Sequence, residues 1–156
     1  MRPALLLLLL APAAAAQTTP VDGDPSDLAA FVGEWVGGYE CEDTGRSGTV
    51  VFRLAPGADS VRAVVLMTPR PTEADPVPAT IPLAVHHVAV TGRSFRGSLE
   101  RYDDPEWGVE LEAEFGGALA HDDHVEGYFR AAGTQIDTAP FCGRWWATRM
   151  ADTPAP

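Results

Sequence analysis

Lysine is absent from this chain: all eleven basic residues are arginine, set against 22 acids, for a net charge of -11. That deficit of positive charge excludes non-specific binding of nucleic acid or of an anionic membrane surface, since both require basic patches. Cysteine is nearly absent. Two cysteines cannot build a four-thiolate zinc site or a disulfide-scaffold miniprotein. No Gly-x-Ser-x-Gly elbow, His-Glu-x-x-His helix or phosphate-cradling glycine loop occurs, so the familiar signatures of hydrolases, zinc proteases and nucleotide enzymes are missing. Beyond the N-terminus there is no long apolar run. What is present is 46% hydrophobic residues with six Phe, three Tyr and four Trp in 156 positions. That is enough for one core and too much for a disordered chain.

The N-terminus reads as an export signal over residues 1–16. Arg2 is the positive end, Leu5 to Leu10 the short apolar stretch, and Ala14-Ala15-Ala16 the small residues before cleavage. The apolar stretch is shorter than the roughly 20 residues a bilayer-spanning helix needs. The mature chain is therefore expected to be soluble, periplasmic or extracellular, with no membrane insertion. Residues 17–26, with Pro20, Gly23 and Pro25, read as a flexible tether. A short helical turn then starts at Ser26, whose hydroxyl is a candidate cap. Residues 151–156 read as a disordered tail.

Between them the punctuation is that of an all-β domain spanning 27–150. Turn residues separate eight strands at about 31–41, 48–55, 60–68, 80–91, 94–102, 109–115, 124–131 and 141–149. The sixth is the clearest, with Val109, Leu111, Ala113 and Phe115 alternating with Glu110, Glu112 and Glu114, one face buried and one wet. Short strands at even spacing with no long helix predict a sandwich or a closed barrel. The rhythm breaks once, in a proline-rich connector over 69–82, either a surface crossover or a lid over a cavity mouth.

Phe31-Val32-Gly33-Glu34-Trp35 opens the first strand, and an arginine-bearing strand (Arg144, Arg149) closes the chain. A Gly-x-Trp in that place resembles the calycin superfamily: lipocalins, fatty-acid-binding proteins and avidins. The resemblance covers about residues 26–149. It implies an eight-stranded antiparallel up-and-down barrel, with Gly33 and Trp35 at the closed end and Arg144 or, preferably, Arg149 packed across the Trp. If such a barrel closes, its first and last strands are neighbours, and Cys41 and Cys142 come close. In an oxidising compartment they are expected to pair, which in the chain-entropy model is worth roughly 4 to 5 kcal/mol for a loop of about 100 residues. Two free thiols or an intermolecular bridge are the alternatives.

An eight-stranded barrel is either filled by side chains or holds one small ligand. Phe52, Phe95, Phe115, Phe129 and Trp145 occupy the interior; Gly33, Gly37, Ala63, Gly97, Ala113, Gly127 and Gly143 leave space or ease curvature. The function this favours is binding of a small apolar or amphipathic molecule, without a cofactor, by Tyr39, Phe52, Val65, His87, Phe95, Phe115, Phe129 and Trp145. His87 is placed inward by continuing Ile81, Leu83 and Val85. Two other functions remain open. A filled barrel would act through its surface, using Trp107, Trp146 and the proline loop. A barrel enzyme would use His87 on a small apolar substrate. His121-Asp122-Asp123-His124 has the composition of a metal site but lacks a third ligand at a characteristic spacing, and reads as a solvated hairpin tip. Asp103, Asp104 and Glu106 likewise read as a loose acidic turn rather than a calcium loop.

Overall fold

In the computed structural model the described residues are 17–42, 44–69, 71, 73–104, 108–133 and 141–151, with the side chains of Phe141 and Cys142 outside them. The expected signal segment, most of the C-terminal tail, Trp107 and Glu106 lie outside the described residues. The elements are β1 Gln17–Asp22, α1 Pro25–Ala29, β2 Gly33–Cys41, β3 Arg46–Leu54, β4 Ser60–Thr68, β5 Ile81–Leu83, β6 Val85–Thr91, β7 Ser94–Leu99, β8 Tyr102–Asp103, β9 Glu110–His121, β10 His124–Gly133 and β11 Phe141–Arg149.

These strands form an all-β closed barrel. Its circuit runs β1, β6, β7, β9, β10, β11, β2, β3, β4, and β4 pairs back with β1. Nine strands therefore close the wall, while β5 adds to β4 and β8 to β9. The expected count of eight is corrected by the N-terminal segment. Residues 17–22 form a wall strand, not a tether. Thr19 and Val21 are buried, at 1% and 7% exposure. β1 runs antiparallel to β4 and parallel to β6, so the barrel is not purely up-and-down antiparallel.

The reason lies in the strand expected over 80–91. It is one strand with a bend at Ala84. Its first part, β5, pairs with β4 (Val65 opposite Leu83). Its second part, β6, turns away to pair with β7. The wedge that opens between β4 and β6 is filled by β1, whose Thr19 Oγ1 donates to the Val85 carbonyl at 2.8 Å. A buried carbonyl left without a donor costs about 1–3 kcal/mol. Thr19→Val should therefore lower the unfolding free energy by that amount without changing its denaturant dependence. A loss below about 0.3 kcal/mol in a urea titration would show that β1 is not part of the cooperative wall.

α1 caps one end. Its N-cap is Asp24, with Pro25 at the helix start and no side-chain cap bond, so Ser26 does not play the capping role expected of it. Asp27 Oδ2 instead accepts from the Gly92 amide at 2.7 Å and ties the helix to the β6–β7 turn. β9 is longer than the sequence suggested, running through Gly116 and Gly117 to His121.

Those glycines belong to a pattern that fills the barrel. Inside it, aromatic residues stand directly opposite glycines on the adjacent strand: Tyr39 opposite Gly48, Phe115 opposite Gly97, Phe95 opposite Gly117, Trp145 opposite Gly127 and Phe129 opposite Gly143. Each ring lies over its glycine. A Cβ on Gly97 would sit 2.4 Å from the Phe115 ring, and one on Gly143 would sit 2.2 Å from the Phe129 ring. Gly97, Gly127 and Gly143 therefore do not leave empty space, as their distribution had suggested. They admit the rings.

Candidate functional site

An apolar cavity of about 150 Å³ remains in the barrel interior. Of the residues expected to face a ligand, Tyr39, Phe52, Val65, Phe95, Phe115, Phe129 and Trp145 line it. His87 does not. A β-bulge between Val85 and His87 inserts one extra residue into β6. Because side chains alternate with a period of two, the extra residue reverses the phase of everything after it. Val88 and Val90 now face the cavity. His87 turns outward, with a 41% exposed side chain and its Nε2 2.8 Å from Asp22 Oδ2. An interior enzyme mechanism resting on His87 loses its residue.

The closed end is built around Trp35, which is fully buried. It stacks on Phe52 at 5.6 Å between ring centroids, with an 11° interplanar angle, and its Nε1 donates to the Phe31 carbonyl at 2.9 Å. The arginine laid across it is Arg149, whose guanidinium carbon is 4.5 Å from the ring centroid. Arg149 also donates to the carbonyls of Ala30, Val32 and Asp122, lacing the chain before β2 and the β9–β10 turn to the last strand. Gly33 adopts a φ of 125° directly under the Arg149 side chain, a conformation in which a Cβ is strained. Arg144 lies outside, paired with Glu40 at 2.7 Å.

The opposite end holds a group that the sequence did not bring together. Arg46 and Asp104 form a bidentate ion pair, Nη2 to Oδ1 at 2.9 Å with Nη1 on Oδ2, and their side chains are 7% and 0% exposed. Asp104 is thus not part of a solvated acidic turn. Its loop is closed by its own amide donating to the Val109 carbonyl and by Gly108 donating back to the Asp104 carbonyl, both at 2.8 Å. Arg46 follows Gly45, whose φ of 69° starts β3. Counting back from inward-facing Phe52 through Val50 and Gly48, Arg46 falls on the same face. That parity was the available signal, and reading the strand from residue 48 hid it. Asp104 carried no comparable signal.

Tyr39 and Tyr102 line the cavity beside this pair. Burial pushes the Tyr102 phenol up to about 12 from its ordinary 10.0; the nearby Asp104 charge adds to the rise and Arg46 opposes it. Burial likewise holds Tyr39 well above the usual phenol range, with Tyr102 adding to it. Both are neutral donors at physiological pH. For a group that keeps its proton longer when folded, the contribution is complete below the unfolded value near pH 10. It is lost as pH rises through the folded value of about 12. Stability should fall across that window, and two of the three tyrosines should resist ionisation until the barrel opens. An absorbance titration showing all three phenolates at pH 10.5 in folded protein would contradict this.

Other expected features fall outside the cavity. In the β9–β10 hairpin, Asp122 accepts from Arg93 at 3.1 Å and His124 lies 3.3 Å from Glu126. Among the described residues no group of three or more His, Cys, Asp or Glu side chains is arranged to hold a metal. Trp146 and Tyr128 are exposed on the outer face, at 39% and 53%, over Gly38 and Gly116. Cys41 is buried and lines the cavity. The side chain of Cys142 lies outside those described, and with it the expected disulfide; the strands that carry them, β2 and β11, are adjacent. Comparison of the chain with protein-family profiles, with curated proteins and with solved structures finds no match.

Proposed function

We propose that this chain is an exported, calycin-like barrel that holds a small apolar or amphipathic molecule in its interior. The observation that carries the reading is the cavity itself: about 150 Å³ of space lined by aliphatic and aromatic side chains, with its polar groups gathered at one end. A filled barrel would have closed over that space, because apolar interiors pack to high density and voids destabilise them. An apolar cavity of roughly this volume takes a benzene-sized molecule, whereas pockets for drug-sized ligands run from about 300 to 1,000 Å³. The ligand is therefore of single-ring size. The Gly33-x-Trp35 opening with Arg149 across the indole, and the adjacency of β2 and β11, support the calycin-like reading. Export carries with it the pairing of Cys41 and Cys142, readable as an intact mass lower by two hydrogens than after reduction.

The test is a native mass spectrum of the purified chain, followed by thermal unfolding with and without toluene and phenol. A ligand that binds only the folded state raises stability by about 2.7 kcal/mol at a hundredfold excess over its dissociation constant. A bound mass lost on denaturation, or a concentration-dependent rise in melting temperature, is the expected result. A bare mass with no rise for either compound would overturn the reading in favour of a function on the barrel's outside.

A further inference from the structure

We propose that the cavity selects an uncharged, ring-sized molecule bearing one hydroxyl or carbonyl oxygen, held by the hydroxyls of Tyr39 and Tyr102, and that it rejects carboxylates. This rests on the interior-binding reading above and names the chemistry of the ligand. Two observations carry it.

The first is hydrogen-bonding demand. Tyr39 is 8% exposed and Tyr102 half-buried, and both line the cavity. Among the described residues no hydrogen bond reaches either hydroxyl, although the Tyr39 ring itself is held edge-on to Phe129 at 5.3 Å. Neither hydroxyl is a sealed atom, since Arg149 Nε alone among the described side chains is both buried and without a hydrogen bond; each opens on accessible space, where a ligand oxygen can meet it. Two phenols at one end of an otherwise apolar space, each able to donate and accept, match a ligand oxygen that can do the same.

The second is charge. Among the described residues Arg46 is the cationic group on the lining, and its guanidinium is already engaged on both oxygens of Asp104. The pair is neutral as a unit. A carboxylate placed beside it gains no uncompensated cation and loses its hydration, a cost that an apolar site cannot offset. A barrel built for fatty acids would leave its arginine open to the headgroup. This one has closed it.

Two matched pairs of probes test the proposal on the full chain by calorimetry or ligand-observed NMR at neutral pH. Phenol and toluene have the same number of heavy atoms, as do acetophenone and benzoate. Phenol should bind about tenfold tighter than toluene, the worth of roughly one net hydrogen bond. Acetophenone should bind while benzoate at the same concentration does not. The Tyr39→Phe, Tyr102→Phe double variant should lose the preference for phenol over toluene. Toluene binding as well as phenol, benzoate binding as well as acetophenone, or a preference that survives the double variant would each overturn the proposal while leaving interior binding intact. Binding of none of the four would instead overturn the interior-binding reading on which it rests.

Discussion

Arg46→Met will destabilise the barrel by about 3–5 kcal/mol, the usual cost of stranding one partner of a buried ion pair. Asp104 is fully buried as a side chain and reaches Arg46 through two oxygens. Without the guanidinium its charge loses the bidentate cation that faces it, inside a loop that Asp104, Gly108 and Val109 close by backbone hydrogen bonds. A typical domain is stable by only about 5–15 kcal/mol, so this one change consumes a large part of the margin. The pair itself is not expected to be a large net stabiliser, because removing two charges from water costs nearly what their attraction returns. The double change Arg46→Met, Asp104→Leu should therefore recover most of the loss. Urea midpoints of wild type, both single variants and the double variant form the test, read as a double-mutant cycle. If the double variant is no more stable than Arg46→Met, the pair is not the coupled unit described above. The double variant also bears on the ligand. With the ion pair gone and both tyrosines in place, phenol should still bind better than toluene.

Trp35→Ala is the second large effect, at about 3–5 kcal/mol for truncating a buried aromatic. The loss has named parts. The indole is fully buried and stacked on Phe52. It satisfies the Phe31 carbonyl and supports the Arg149 guanidinium. Removing it leaves a void at the closed end and takes a donor from a buried carbonyl. Trp35→Phe keeps most of the volume and the stack but loses the hydrogen bond and weakens the cation–π contact, since Trp is the strongest ring partner. It should cost clearly less, on the order of 1–2 kcal/mol. Equilibrium unfolding separates the two. Equal losses for Ala and Phe would mean that the hydrogen bond rather than the packing holds the closed end together. A loss below about 1 kcal/mol for Ala would mean that α1 and Arg149 close the barrel without it.

The all-β architecture was legible from local pattern alone. Leu111, Ala113 and Phe115 face in while Glu112 and Glu114 face out, as their alternation required. All eight strands expected from the turn residues are found, two of them divided: 80–91 into β5 and β6, and 94–102 into β7 and β8. Arg149, not Arg144, reaches Trp35 because the two are cross-strand partners, with Arg144 opposite Glu40. Gly116 and Gly117 hid the second half of β9, since glycine without its aromatic partners reads as a turn. Those partners, Tyr128, Phe95 and Trp145, come from β10, β7 and β11.

What this sequence determined by itself is therefore what period and turn chemistry carry: strand number to within one, the inward face of most strands and the aromatic interior, while the place of Trp35 came from the resemblance of its Gly-x-Trp. Each of these depends on residues within a few positions of one another. Tertiary structure decided the rest, because each remaining feature depends on residues far apart in the chain. The bend at Ala84 opens a wedge that only β1, more than sixty residues earlier, can fill, as the Thr19–Val85 bond across 66 positions records. The bulge that turns His87 outward is a mismatch of register between β6 and β7, invisible in β6 alone. Arg46 and Asp104 lie 58 residues apart. A charge in a strand and a charge in a loop become one neutral buried unit only when closure of the wall removes water from both.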